Sequence, residues 1–379
     1  MDESTVKELT PDVIPAAHDP AMTAQIEGAA GIVTLNRPRA LNALSSAMRA
    51  GIAAAFEGWA RNPQVYATVI ESTSDRAFCA GGDLREMVEL GKASLQDALR
   101  SVGEEYALNW QLECFTKPTV SLIDGLVVGA GVGISLYGTH RIAGERYSFA
   151  MPEVRIGLFP DDGVSWALAR MPDEIGMYLA LTGRNVGPAD AYRLGLVTHC
   201  IPSNRFGEIK AALREADPVD PVLDSMHVEP GPGELDGVRA VIARCFTQPG
   251  LEQIVGALQA ERGSTAAGCT TEWARGVLED MQRSSPTSLK VTYRHLRRAR
   301  TLDLRSTLQQ DFRLATRFMQ GHDFYEGVRA TLIDRDQTPK WHPANLDDVP
   351  PSAVDAYFTS MGENELQLST RAEMQAVRA

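Results

Sequence analysis

Between residues 31 and 200 the chain alternates short β-branched runs with helical runs, and the runs break at glycine, proline or asparagine. "GIVTLNRP" (31–38) reads as a strand leaving into a turn, and "YATVIEST" (66–73) as a second strand. From Ser45, the residues Met48, Ile52, Ala55, Phe56 and Trp59 recur at helical spacing, with Ser45 or Ser46 available as N-cap. "SDRAFCAGGDLREM" reads as a loop followed by a helix. "KPTVSLIDGLVVGAGVGISLYG" reads as a strand, a glycine turn and a small-residue helix, and "HRIAGERYSFAMPE" as a strand pair. Alternation of this kind builds β-β-α or β-α-β turns stacked around a parallel core. "PDEIGMYLALTG" and "GPADAYRLGLVTHCIP" continue it as helices, the second ending in a strand that carries a structural His199.

After about residue 200 the strand signals fade. The proline-rich, acidic segment 216–237 reads as an exposed linker or loop, and the runs beyond it are helical, with Pro286 in the first turn of one helix. The expected organisation is an N-terminal arm (1–20), an α/β core (21–205) and a mainly helical C-terminal region (206–379). The chain's 379 residues, at about 150 per domain, permit two or three units or one large domain with an appendage.

Net charge is −12, which argues against a nucleic-acid surface. Cys79, Cys114, Cys200, Cys245 and Cys269 are odd in number and form no CxxC pair, and the seven histidines show no metal spacing. A disulfide framework and a zinc site are therefore not expected, and neither is any metal; a reducing, cytoplasmic location is. The polar, acidic start lacks the features of a secretory signal. The most apolar stretch, 119–138, is broken by Asp124 and five glycines, so no membrane partner is expected.

"SFAMPEVRIGLFPDDG" (148–163) places Glu153 and Asp161 inside apolar sequence. A buried carboxyl must recover its hydration from hydrogen bonds, a partner charge or a raised pKa. Structural readings are available for each: Glu153 capping a helix or pairing with Arg155, Asp161 as N-cap of the helix holding Trp166, and Glu105 on a solvated helix face. Upstream, "AFCAGGDL" (77–84) and "GLVVGAGVG" (125–133) are glycine turns whose amides, at Gly82 and Ala130, could face one another as an oxyanion hole for a thioester carbonyl. A base or nucleophile with an orienting partner beside such a hole is a catalytic arrangement. The basic run "RHLRRAR" (294–300) reads as a solvated helix face, with a CoA phosphate contact as the alternative.

Together, "NRPRALNAL", "AFCAGGDL", "KPTVSLIDGLVVGAGVGISL", "FAMPEVRIGLFPDDG" and "YLALTGRNVGPADAYRLGLVTHCI" resemble the enoyl-CoA hydratase/isomerase (crotonase) superfamily. "SSPTSLKVTYRHL" and "MQGHDFYEGVRATLIDRDQTPKWHPANL" resemble its 3-hydroxyisobutyryl-CoA hydrolase branch. The resemblance implies an α/β fold, a crotonase-like spiral of β-β-α turns with a C-terminal α-helical region. It implies an acyl-CoA substrate, with CoA as part of that substrate and no separate cofactor. It also implies an oxyanion hole from the backbone N–H groups of Gly82 and Ala130. Hydratases of the superfamily use two glutamates; one corresponds to Glu153, and the place of the other is Gly133. The hydrolase branch uses Asp161 as partner, and Glu105 matches its substrate-contacting glutamate. The substrate-binding set is thus Glu105, Ala130, Glu153 and Asp161, with Glu153 as nucleophile or general base, and Asp161 orienting or protonating. Asp162 adds a charge beside Asp161, and Val164, Ser165 and Trp166 are expected to add bulk near the acyl group. The helical region is expected to cover the pocket, as a lid or by self-association, which leaves a homo-oligomer open. An enoyl-CoA lyase or isomerase and a non-catalytic acyl-CoA binding protein are the competing readings.

Overall fold

The computed structural model describes residues 21–263 and 269–376; the N-terminal arm expected at 1–20 lies outside the described residues. Among the described residues, nine strands fall into two sheets. They are β1 (Met22–Glu27), β2 (Ala30–Leu35), β3 (Ala67–Ser72), β4 (Ala77–Cys79), β5 (Thr119–Ile123), β6 (Leu126–Val128), β7 (His140–Ala143), β8 (Ser148–Ala150) and β9 (His199–Cys200). The larger sheet runs β1-β2-β3-β5-β7-β9 and the smaller β4-β6-β8. Only β1 and β2 pair antiparallel, as a hairpin; every other pairing of named strands is parallel.

The chain order explains this layout. It lays β3 in the large sheet, then β4 in the small one, then crosses back through helices; β5 and β6, then β7 and β8, repeat the move one place along. Each repeat is one β-β-α turn of a spiral. The strand pair expected in "HRIAGERYSFAMPE" is therefore no hairpin, because β7 and β8 belong to different sheets.

The helices bury one stripe each. Helix α1 (Ser46–Arg61) is capped by Ser45, whose hydroxyl accepts from Met48 N, and its Met48, Ile52, Phe56 and Trp59 are buried. Helix α2 (Leu84–Ala93) is capped by Asp83, and α3 (Leu95–Glu113) by Ser94. Helix α4 (Ala130–Leu136) starts after Gly129, and α5 (Val164–Leu168) after Gly163. The segment 216–237 is not all loop: Val219–Met226 is a helix that buries Val219 and Leu223 against the back of the large sheet. Its prolines, Pro218 and Pro221, stand just before the helix and in its first turn, where no backbone donor is lost to the helix ladder.

From residue 206 onward the described elements are helical, including Pro286–Ala299, Leu304–Gln320 and Asp323–Val328. One apolar cluster joins them to the sheets: Phe78, Val127 and Phe149 share it with Leu289, Leu308, Phe318 and Phe324.

Candidate active site

A cavity of about 240 Å³ opens just past the carboxyl ends of β4, β6 and β8, the end at which open parallel sheets hold ligands. Its wall brings together Gly82, Glu105, Ala130, Glu153 and Asp161, residues spread over some eighty positions of sequence. Ala315, Met319, Phe324 and Leu332 of the helical region close the other side.

The loop after β4 is clamped on both flanks of Gly82. Ala80 N donates to Leu41 O at 2.9 Å, Leu44 N to Gly81 O at 2.8 Å and Asp83 N to Leu44 O at 2.9 Å. The Asp83 carboxylate then accepts from Glu86 N and from Arg37. Between these clamps the Gly82 N–H has no acceptor among the described residues. The Ala130 N–H opens α4, where the helix itself supplies no acceptor. Gly129 sits at φ 49 and ψ −126, a conformation that only glycine adopts readily. The two turns touch: a Cβ on Gly81 would stand 3.3 Å from Val128 O and 3.8 Å from Ala130 N.

Glu153 is 5% exposed and opens a short 3-10 turn, Glu153–Ile156. Its Oε1 lies 3.2 Å from where a Gly129 Cβ would be, and its Oε2 has no hydrogen-bond partner among the described residues. Burial, with the Asp161 charge added, holds this carboxyl well above the ordinary carboxylate range. Glu153 does not pair with Arg155, which turns away to Asp280 at 3.3 Å and to Thr182 O. Asp161 is no N-cap either: α5 has Gly163 at that position and no side-chain cap. Its Oδ2 instead accepts from the Tyr106 hydroxyl at 2.7 Å. Burial and the Glu105 charge push its pKa well up against that hydrogen bond. Tyr106 is itself held protonated, chiefly by burial, and so remains a donor.

Glu105 is not on a solvated face. It is 9% exposed, and its Oε2 lies 3.4 Å from Arg49 Nη1. Arg49, also buried, spends its other donors on Leu44 O, Ser46 and Ser101. Oε1 is left on the Gly82 side, 3.8 Å from where a Cβ of that glycine would be.

Sequence reasoning missed Tyr106 and Asn109. Both lie on the buried face of α3, with Asn109 one helical turn on from Glu105 and Tyr106, and that periodicity was the available signal. Asn109 donates to Asp162 Oδ1 at 2.6 Å. It also fills the space beside Gly133, where a Cβ would meet its side-chain N and O at 2.9 Å each and Asp162 Cβ at 3.1 Å. Val164, Ser165 and Trp166 do not line the cavity. Val164 and Ser165 are buried in α5, the Ser165 hydroxyl donates to Pro160 O, and Trp166 lies under Arg170. The run 294–300 is no plain solvated face, since His295 is fully buried, and none of its residues lines the cavity. Arg294 pairs with Asp355, and Arg297 and Arg300 with Glu174. His199 ends the large sheet, held by Thr198 and Asp224.

Two opposed glycine turns and a pair of cavity-lining acids at the carboxyl ends of a β-β-α spiral define an acyl-CoA enzyme of the crotonase fold. The chain belongs to the enoyl-CoA hydratase/isomerase family, whose sequence profile matches residues 30–358. Among its relatives are proteins named 3-hydroxyisobutyryl-CoA hydrolase, mitochondrial. The Rattus norvegicus protein is 40% identical over 353 residues, 90% of this chain and 89% of that one. The Xenopus tropicalis protein is 39% identical over 351 residues, with the same coverage. Of solved structures, a carnitinyl-CoA dehydratase from Mycobacterium thermoresistibile has a TM-score of 0.85 at 35% identity, covering 93% of this chain and 99% of that one. An enoyl-CoA hydratase from Rhodobacter sphaeroides also gives 0.85 at 35%, covering 92% and 100%. The expected cytoplasmic location is overturned by the relatives, which are named as mitochondrial proteins. Cys79, Cys114, Cys200 and Cys245 are buried free thiols, a property that does not choose between compartments.

Proposed function

We propose that the chain is an acyl-CoA thioester hydrolase that converts 3-hydroxyisobutyryl-CoA to 3-hydroxyisobutyrate and CoA, a step of valine breakdown. The observation that supports this most is the pairing of Glu153 with Asp161 in one cavity, opposite two amides without acceptors, while the second hydratase acid is missing at position 133.

The thioester carbonyl oxygen accepts from the Gly82 and Ala130 N–H groups. Both donations strengthen as the carbonyl becomes an oxyanion, an effect worth about 100-fold or more in rate for each donor. Glu153, ionised, either attacks the carbonyl carbon or takes a proton from an attacking water. Attack expels CoA and leaves a mixed anhydride that water cleaves; general-base catalysis reaches the same acid and thiol. Two acids in one cavity favour a state with one proton between them. Asp161 carries it on Oδ1, because Oδ2 is accepting from Tyr106, and passes it to the departing sulfur. Glu105 Oε1 accepts from the 3-hydroxyl of the substrate while Arg49 holds Oε2. CoA is part of the substrate, and no separate cofactor takes part.

The competing hydratase reading needs an acid where Gly133 stands, and Asn109 and Asp162 occupy that space. A thiol-release assay on 3-hydroxyisobutyryl-CoA with wild type, Glu153→Gln and Asp161→Asn decides. No CoA release above background by the wild type would sink the hydrolase reading. Loss of the conjugated-enoyl absorbance of crotonyl-CoA at a comparable rate would favour the hydratase.

A further inference from the structure

Two titratable side chains beneath the site take no part in the chemistry above. Asp311, on helix Leu304–Gln320, and His295, on helix Pro286–Ala299, are both 0% exposed and 2.6 Å apart from Oδ1 to Nε2. The Gln310 side-chain nitrogen lies 2.7 Å from His295 Nδ1. Nε2 faces Asp311 Oδ1 at ion-pair distance without the alignment of a hydrogen bond. The other carboxyl oxygen of Asp311, Oδ2, accepts from the backbone N–H of Gly163 at 2.7 Å, across 148 positions of sequence.

Gly163 closes the turn that carries Asp161. Asp162 (φ 57) and Gly163 (φ 74) are consecutive left-handed residues, and Asp162 lacks glycine's freedom to be so. A turn of this kind persists when its surroundings hold it. Here Tyr137 donates to Asp162 O, Asn109 to Asp162 Oδ1 and Tyr106 to Asp161 Oδ2. Those three grips come from α3 and the end of α4. The fourth, Asp311 on Gly163, comes from the helical region. His295 also packs edge-on against Phe159, 5.5 Å between ring centres, so the pair braces both ends of the segment 159–163. Burying a carboxylate this deeply is costly unless its charge is answered, so an apolar residue would be the cheaper choice for packing alone.

We propose that Asp311, held by His295, is a positioning residue for Asp161: it fixes the Gly163 amide, and through it the turn that aims the Asp161 carboxyl into the cavity. The proposal rests on the role given to Asp161 above.

The test is a double-mutant cycle in the full-length protein, read as kcat and KM on 3-hydroxyisobutyryl-CoA. Asp311→Ala lowers kcat about 100-fold, the scale of a catalytic group displaced by about an ångström, and leaves KM within about threefold. In an Asp161→Asn background the same change lowers kcat less than about threefold, because there is no longer an acid to aim. Asp311→Asn keeps an acceptor for Gly163 and recovers kcat to within about tenfold of wild type. If Asp311→Ala yields no folded protein, His295→Leu, which leaves Asp311 unheld, replaces it in the cycle. Equal losses in the two backgrounds, or a loss below about threefold in the wild type, overturn the proposal. Hydrogen exchange of the Gly163 amide reads it independently of turnover: exchange accelerates at least about 100-fold in Asp311→Ala and not in Asp161→Asn, and an unchanged rate overturns it. A wild type that exchanges as expected but releases no CoA refutes the hydrolase reading instead.

Discussion

Among the described residues, Glu153 has neither a counter-ion nor a hydrogen-bond partner at Oε2 to meet the cost of its position. That cost is what makes it reactive: a carboxylate stripped of water is a stronger base and nucleophile than one in solution. Glu153→Gln is expected to lower kcat about 1,000-fold and Asp161→Asn about 100-fold, with KM near wild type in both, measured by thiol release. The same burial predicts a stability effect. Glu153's native pKa is raised, so the native carboxyl keeps its proton above the pH at which the unfolded one loses it. Its neutral form stabilises the fold below the unfolded pKa, and that contribution is lost as pH rises through the native pKa. Glu153→Gln should therefore melt higher than wild type at pH 8, with the gap closing towards pH 5. A gap that grows on acidification would contradict the assignment.

At the scale of elements, the site is made by the loops that leave the short strands of the small sheet. Strand β4 delivers Gly82, β6 delivers Ala130 and β8 delivers Glu153. Gly129 joins two of these contributions, since its left-handed backbone turns the Ala130 amide and its missing side chain leaves room for Glu153 Oε1. Gly129→Ala should cost about 1–3 kcal/mol of stability by denaturant unfolding and at least about tenfold in kcat. Gly133 is held to glycine by α3 rather than by its own backbone. Gly133→Glu, which restores the hydratase residue in sequence, should destabilise the fold and yield no gain in crotonyl-CoA hydration, because Asn109 and Asp162 fill that space. Hydration rising above wild type would show that the pocket can accommodate both.

For the whole molecule, the sheets and the helical region share one apolar cluster, and the cavity has walls from both. A chain ending at residue 205 would expose the faces that Leu308, Phe318 and Phe324 cover, and it should lose the cooperative thermal transition seen by near-UV circular dichroism. A sharp transition in that fragment would show the α/β part to be self-sufficient.

The local pattern of the chain carried the strands β2, β3, β5 and β7, the capped helix α1, the proline-led helix at 286 and the two acids lodged in apolar sequence. These signals are local: periodicity, turn residues and the misfit of a charge among hydrophobes are all read within a dozen positions. Strands β4 and β6 escaped because three residues are too few to show a period, and β1 because its hairpin lay before the first strong run. Tertiary structure alone decided that Glu105 is buried against Arg49, that Tyr106 and not a helix end receives Asp161, and that Asp311 holds Gly163. Such contacts span 55 to 148 positions, and pairing over that distance is fixed by how the helices pack on the spiral, which no single stretch of sequence encodes.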